Sequence, residues 1–516
     1  MIRDPRRLAF GDFQTPLILA RQVVDLLKAK GIAPRSVVEP TCGLGRFVDA
    51  SLSGFSDGVV VAAFDVNPEY VKSTAALSGG GTNNHRLRCE TANFFTMDWS
   101  ATLASLPEPI VVLGNPPWVT ASGLGALGSD NLPEKSNFQN RKGLDALTGK
   151  SNFDVAEWML LKLIQAGRGR DVTVAMLVKT GVARRVLAHL WRTGANVQDA
   201  RIYRFDASAH FGVSASACLF LIRTGGRRAN FDCIVSELDQ PEVRVGQVCW
   251  RDGTLVSDQL AYDREKDLIL SAPATNFRWR SGVKHDSSAI MELTRISGAT
   301  FVNANGERVE LEPDYVYPLL KGTDLVHGRV LEARKWLLVT QTKPGQDTTE
   351  ISRRAPRTWA YLDAHSDELD SRKSSIYRGK ARFSVFGVGP YTFAPWKVAI
   401  SALHKRFVFS MVGPIEGRPV MFDDACYQLA CPSLEGAQLL STLLNSEVSQ
   451  DLLGSLVFWD AKRPITAEIL QKIDLSGLAA RLGLLDDFDR IYSTGLPNSP
   501  QATLEFEPIP VRSSLG

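Results

Sequence analysis

Along roughly the first 225 residues, short β-branched runs alternate with stripes of helical period. Residues 36–38, 59–64, 110–113 and 172–178 are nearly continuous apolar runs, as expected of strands buried on both faces of a parallel sheet. Shorter runs at 86–89, 201–205 and 217–222 predict three more strands, the last closing the sheet. Leu19, Val23, Leu26 and Leu27 fall on one helical face and predict a helix over 17–28, with Thr15 as N-cap and Pro16 at the first helical position. A second helix starts near Asp154 and carries Trp158, Leu161 and Ile164 on one side; a third spans 182–191. Strand and helix in alternation give an α/β fold. After Arg227 the pattern is more irregular, with strands expected at 315–320 and 336–340 and helices at 437–453 and 467–482. This predicts two domains, 1–240 and 241–516, the second mixed α+β. The chain shows no internal repeat, and its end, 498–516, is rich in Pro and Ser and expected to be loosely held.

Composition narrows the class. The chain has 516 residues, 44% hydrophobic and 22% charged, enough for more than one buried core. The start, Met1-Ile2-Arg3-Asp4-Pro5-Arg6-Arg7, is too charged for a signal peptide, and no apolar run is long enough for a bilayer. Seven scattered cysteines include no Cys-x-x-Cys pair and no Cys/His spacing suited to zinc, so free thiols in a reducing cytoplasm and no metal are expected. The net charge of +3 means that a nucleic-acid surface must come from local clustering. Such a cluster exists: residues 372–406 contain no carboxylate, yet carry Arg372, Lys373, Arg378, Lys380, Arg382, Lys397, Lys405 and Arg406 interleaved with Tyr377, Phe383, Phe386, Tyr391, Phe393 and Trp396. Basic side chains neutralise phosphates and aromatics stack on bases, so these cations, with Lys284 in the polar stretch 279–286, are candidate DNA contacts. His285 has no evident metal partner and is expected to hydrogen-bond within its loop.

The chemistry concentrates where the strand at 110–113 stops. Gly114 is followed by Asn115, Pro116, Pro117 and Trp118. Ligands of open α/β sheets sit at the carboxyl ends of strands. Here the chain offers an amide, two prolyl residues without N–H, and a large aromatic face, a set suited to a planar substrate bearing an amino group. Upstream, Glu39-Pro40-Thr41-Cys42-Gly43-Leu44-Gly45 joins a strand to a helix. It is neither a P-loop nor the three-glycine dinucleotide fingerprint, and Glu39 before it would repel phosphate and attract a cation such as a sulfonium. Asp65 ends the next strand, where an acid usually holds ribose hydroxyls, and Asn93-Phe94 follows a third. The Gly-, Ser- and Asn-rich stretch 118–152 is expected to fold over substrate, and Phe211 beside Gly212 is a candidate pocket or core residue.

In this order the motifs resemble those of amino-methyltransferases, specifically the γ-class N6-adenine DNA methyltransferases of bacterial restriction–modification and phage-defence systems. Thr15-Pro16, residues 39–47, Asp65, Asn93-Phe94 and Asn115 to Trp118 carry the resemblance, which covers about the first 225 residues. It implies a Rossmann-like, seven-stranded class I methyltransferase domain followed by a target-recognition domain. It further implies S-adenosylmethionine as cofactor, with Thr15, Pro16, Glu39, Thr41 and Gly43 around its methionine part. Asp65 would hold the ribose, and Asn93 and Phe94 the adenine. Asn115, Pro116, Pro117, Trp118 and Phe211 would surround an adenine flipped out of double-stranded DNA. A monomer working beside a cognate restriction endonuclease or defence subunit is the implied setting. Two departures stand out: Asn93 where the family usually has Asp, and Lys179 where it commonly has Pro. Other acceptors of the same geometry, an RNA adenine or a protein glutamine amide, and a non-catalytic DNA-binding subunit, are the alternatives.

Overall fold

The computed structural model describes residues 13–79, 86–120, 154–225, 229–272 and 276–492; most of the stretch expected to fold over substrate and the whole C-terminal tail lie outside these residues. The chain divides into two compact units, Met1–Gln259 and Leu260–Gly516.

The first unit is built on one sheet of ten strands, in the order β10-β9-β8-β6-β7-β5-β4-β1-β2-β3. These are β1 (Ser36–Glu39), β2 (Val60–Asp65), β3 (Arg86–Thr91), β4 (Ile110–Gly114), β5 (Val172–Lys179), β6 (Val197–Asp206), β7 (Ser216–Thr224), β8 (Asp232–Glu237), β9 (Arg244–Arg251) and β10 (Thr254–Val256). β1 to β5 run parallel, and β7 is antiparallel to both β5 and β6. The order reverses between β1 and β4, which makes the crevice at their carboxyl ends the natural place for a ligand. Glu39, Asp65, Gly114 and Lys179 all end strands along that edge.

The strands alternate their side chains between two apolar faces. Val37, Val61, Ala63, Val111, Leu113, Ala175, Leu177 and Leu219 turn to one side, where they pack with α1 (Leu17–Ala29) and α2 (Arg46–Gly54). α3 (Pro68–Ala75), α4 (Trp99–Ala104), α5 (Val155–Ala166), α6 (Thr180–Arg192) and the short α7 (Ala207–Phe211) complete the α/β layers.

Three expectations need correction. Thr15 is not an N-cap: Pro16 occupies that position, its carbonyl accepting the Ala20 N–H at 3.1 Å, and Thr15 is buried one residue earlier. The seven-stranded sheet does not close at 217–222, because β6 has a second edge, which pairs with β8, and β9 and β10 follow in a meander. The first unit accordingly runs to Gln259 rather than 240. Half-exposed strands and a register shift between Val235 and Ser236 blur the period-two signal there.

The second unit holds a four-stranded sheet, ordered β11-β20-β17-β18, and a six-stranded one, ordered β14-β13-β12-β16-β15-β19. Its strands are β11 (Arg280–Ser281), β12 (Glu292–Ser297), β13 (Thr300–Val302), β14 (Arg308–Glu310), β15 (Val316–Leu320), β16 (Lys335–Leu338), β17 (Trp396–Ser401), β18 (Ser410–Val412), β19 (Met421–Phe422) and β20 (Cys426–Cys431). Each of the two helices expected near the end is split. α8 (Leu434–Leu444) ends at Asn445, and Ser446 caps α9 (Glu447–Leu456), while Asp474 separates α10 (Ala467–Leu470) from α11 (Leu475–Arg481) by accepting the Gly477 N–H. Among the described residues no helix is long and apolar enough to cross a membrane.

Candidate active site at the end of strand β4

β4 stops because Pro116 and Pro117 have no N–H to give the sheet. The loop that follows is fixed by its neighbours. Asn115 donates its side-chain N–H to the Phe13 carbonyl at 2.8 Å. A carbonyl only accepts, so this bond settles which way the amide points. The amide oxygen, Oδ1, is buried and has no hydrogen-bond partner among the described residues. A buried acceptor in that state costs about 1–3 kcal/mol, which a donor from a ligand would recover. Trp118 is 6% exposed; its indole N–H donates to the Leu177 carbonyl at 3.1 Å, and its own carbonyl accepts from Lys179 Nζ at 2.9 Å.

Three rings meet beside the Asn115 amide. Trp118 and Phe211 lie 5.3 Å apart at 70°, Phe13 and Trp118 5.8 Å apart, and Phe13 and Phe211 6.1 Å apart. Phe211 ends α7, and Gly212, at φ 68°, turns the chain away behind it. The structure therefore brings Phe211 against Trp118 of the Asn-Pro-Pro-Trp loop and also packs it on the core of the first unit.

Across the crevice lies the glycine loop. Gly43 and Gly45 have φ of 50° and 71°, and a Cβ on Gly45 would sit 2.8–2.9 Å from Thr74 and Leu77. Asp65 accepts from the Gly43 N–H and from the Asn67 N–H, each at 2.9 Å, so its carboxylate shapes the loop as well as facing it. Gln14 accepts from the Leu44 N–H at 3.0 Å. The Thr41 hydroxyl is buried with no partner among the described residues. Glu39 is buried and accepts the Val48 N–H at 3.1 Å; burial, reinforced by Asp65, holds its pKa well above the usual carboxylate range. Burial also pushes the Cys42 thiol up to about 12, which leaves it unreactive. Asn93 accepts the Phe95 N–H at 2.9 Å in a local turn, and Phe94 is buried against Trp99, Phe95 and Trp158. The crevice so assembled suits a small polar ligand with a cationic centre and hydroxyl groups.

Sequence reasoning missed Phe13, Gln14 and Asp154 as site residues and found no consequence for Lys179. Phe13 and Gln14 directly precede Thr15-Pro16, so their nearness to the motif was the available signal. The role of Lys179 depends on partners 25 and 61 residues away and left no local trace.

The cations of the second unit divide into two groups. Lys397 is 1% exposed, and its ammonium donates to the Thr392 and Val420 carbonyls at 2.7 and 2.5 Å, so it is an internal staple and not a DNA contact. Arg372 is likewise spent inside, donating to the Leu369, His285 and Ser384 carbonyls and stacking 3.8 Å from the Tyr377 ring. Lys284 pairs with Asp286, and Arg382 with Asp363 and Asp370. Phe383 is buried against Trp359, so it too serves the core. Lys373, Arg378 and Lys380 are exposed and in no ion pair among the described residues. His285 accepts the Ser287 N–H at 3.3 Å and faces Glu292, the hydrogen-bonding role expected of it. No group of residues suited to a metal ion occurs among those described.

No protein-family model matches the chain. Among solved structures, the Type IIL restriction–modification enzyme MmeI in complex with DNA is 13% identical with a TM-score of 0.48, over 96% of this chain and 75% of that one. The methyltransferase subunit of a type I restriction–modification system from Streptococcus thermophilus is 17% identical with a TM-score of 0.31, over 43% of this chain and 47% of that one. The sequence relationship is far closer. The Type II methyltransferase M.NspV of Nostoc sp. is 40% identical over 476 residues, which is 92% of this chain and 98% of the relative. A match of that extent takes in the Asn-Pro-Pro-Trp loop, the glycine loop and the second unit together, and the chain belongs to the Type II methyltransferases.

Proposed function

We propose that the chain transfers a methyl group from S-adenosylmethionine to N6 of an adenine flipped out of double-stranded DNA, in a restriction–modification or phage-defence system with a cognate endonuclease. The observation that carries this reading is the buried Asn115 Oδ1, without a partner among the described residues, in the loop that also carries Trp118 and its neighbours Phe211 and Phe13, at the sheet's switch point. An exocyclic amino nitrogen is a poor nucleophile because its lone pair is delocalised into the ring. Asn115 Oδ1 and the Pro116 carbonyl, by accepting its two hydrogens, favour a pyramidal nitrogen whose lone pair is available. Positive charge grows on that nitrogen, so acceptors and aromatic faces fixed beforehand lower the barrier more than they strengthen binding. The flipped base gives up its stacking in the duplex, and Trp118 and Phe211 offer replacement faces.

S-adenosylmethionine, when bound, supplies an electrophilic methyl group on a sulfonium centre. The residues at the glycine loop fit it: Glu39 offers a carboxyl to the cationic part, Thr41 a hydroxyl with no partner among the described residues, and Gly43 close backbone approach, while Thr15 and Pro16 open α1 next to Gln14, which accepts from the loop's Leu44 N–H. Asp65 would take the ribose hydroxyls, since a carboxylate oxygen accepts more than one bond. Asn93 and Phe94 would flank the adenine, the Asn93 oxygen accepting a second bond besides that of its turn. Lys373, Arg378 and Lys380, exposed and in no ion pair among the described residues, would contact phosphates.

The test is transfer of labelled methyl to duplex DNA, RNA and a glutamine-bearing peptide, with the modified base and its context read by long-read sequencing. N6-methyladenine in duplex DNA is the expected product; label only in RNA or peptide refutes the DNA reading. Asn115→Ala should keep cofactor affinity and lose transfer about 10³-fold, the scale of removing one preorganised hydrogen-bonding group.

A further inference from the structure

Between Gly114 and Trp118 the backbone has few means of holding itself to the sheet, because Pro116 and Pro117 contribute no donors. A side chain from the neighbouring strand supplies one. Lys179, the last residue of β5, donates from Nζ to the Trp118 carbonyl at 2.9 Å and to Asp154 Oδ2 at 2.9 Å. β5 also holds the other end of Trp118, whose indole N–H rests on the Leu177 carbonyl. Asp154 is buried; its second oxygen accepts the Ala156 N–H and caps α5, and the Val155 N–H donates to the Val119 carbonyl at 2.9 Å. One ammonium thus ties together the end of β5, the loop after β4 and the start of α5.

We propose that Lys179, paired with Asp154, is a positioning residue that aims the Asn-Pro-Pro-Trp loop at its acceptor through the Trp118 carbonyl. The inference rests on the methyl-transfer reading above and adds to it a residue that touches neither substrate nor cofactor. The pairing also has an electrostatic logic. Methyl transfer builds positive charge on the acceptor nitrogen, and an unneutralised ammonium nearby would oppose it. Asp154 cancels that charge while leaving the donor in place.

The experiment compares Lys179→Met, Lys179→Arg, Asp154→Asn and the double variant Lys179→Met/Asp154→Asn in single-turnover methylation of duplex DNA, with cofactor Kd measured by calorimetry. Lys179→Met should slow turnover 10- to 100-fold while cofactor Kd stays within about twofold, since a loop displaced by about 1 Å costs rate rather than cofactor affinity. Lys179→Arg should recover most of the rate. The double variant should be no slower than the worse single one, because both substitutions break the same bridge. Turnover within twofold of wild type in Lys179→Met, parallel loss of rate and cofactor affinity, or multiplied losses in the double variant would each overturn the proposal. Asp154→Asn keeps the helix cap and the side-chain shape, so it carries the same comparison if Lys179→Met does not fold. Amide hydrogen exchange in the 110–120 segment separates this inference from the function. Should wild type methylate no acceptor, the methyl-transfer reading fails; faster exchange near Trp118 in Lys179→Met still supports the latch, and unchanged exchange refutes it.

Discussion

At Glu39 the demands of folding and of ligand binding oppose each other. The carboxyl is 3% exposed, and the one bond it accepts, from the Val48 N–H, does not offset its burial. Its folded pKa therefore lies well above the ordinary carboxylate value, with Asp65 adding to the rise. A folded pKa above the unfolded one means that this group favours folding at low pH. That contribution is lost as pH climbs from the ordinary carboxylate range through the raised value. A cationic ligand prefers the carboxylate, so cofactor binding should strengthen over the same interval. Glu39→Gln keeps an acceptor for Val48 and removes the titration. It should raise the melting temperature at about pH 8 relative to wild type and weaken S-adenosylmethionine binding there roughly tenfold or more, as expected for losing one charge from a close pair. Its affinity should also stop changing with pH. Melts and equilibrium dialysis at about pH 5 and about pH 8 check both parts; equal affinity of the two proteins at the higher pH would mean that the carboxylate contributes nothing to the cation.

At the scale of single elements, what sequence can reveal depends on whether an element's surroundings are local. β1, β2, β4 and β5 were readable because burial on both faces demands uninterrupted apolar residues, and the loops after β1 and β4 because glycine and proline do there what other residues cannot. β8 to β10 were not, since a half-exposed meander needs no apolar run. Asn93 and Phe94 show a middle case: their place at the end of β3 was foreseeable, but the turn bond to Phe95 and the ring cluster with Trp99 and Trp158 come from packing. β17 gives the sharpest contrast. Its two-residue period turns Lys397 inward, whereas the sequence places that lysine in a run of surface cations. Burial lowers its pKa to about 7. Between about pH 7 and its ordinary value of 10.5, the unfolded chain then binds more protons at this site than the folded one, so folding stability rises with pH through that window. Lys397→Met should remove this slope. At neutral pH the gain from no longer burying an ammonium is opposed by two carbonyls left without a donor, about 1–3 kcal/mol each, so the slope is the cleaner signal. Denaturant unfolding of both proteins at about pH 7 and about pH 9.5 measures it; equal slopes would show that another group titrates.

For the molecule as a whole, a net charge of +3 over 516 residues cannot hold a polyanion by long-range field alone. On the proposed reading, affinity for DNA has to come from cations that are exposed and not already neutralised. The acid-free run looks like one such surface in sequence, but folding commits part of it: Lys397 and Arg372 to backbone carbonyls, Arg382 to Asp363 and Asp370, and Phe383 to the core. What stays available includes the trio Lys373, Arg378 and Lys380, within eight positions of one another and all exposed, and Lys405 near the end of the run, exposed and in no ion pair among the described residues. Each cation that replaces a counterion on duplex DNA contributes about 0.9 to the slope of log affinity against log salt. Replacing all three with glutamine should therefore flatten that slope by up to ~2.7 and weaken binding to every sequence alike, because phosphate contacts position a protein without reading bases. Lys397→Met, although drawn from the same stretch, should leave the slope where it is. Fluorescence anisotropy on one duplex from about 50 to about 200 mM salt distinguishes the two. A slope that falls in Lys397→Met, or holds in the triple variant, would show that folding has sorted these cations differently from the way burial and ion pairing indicate.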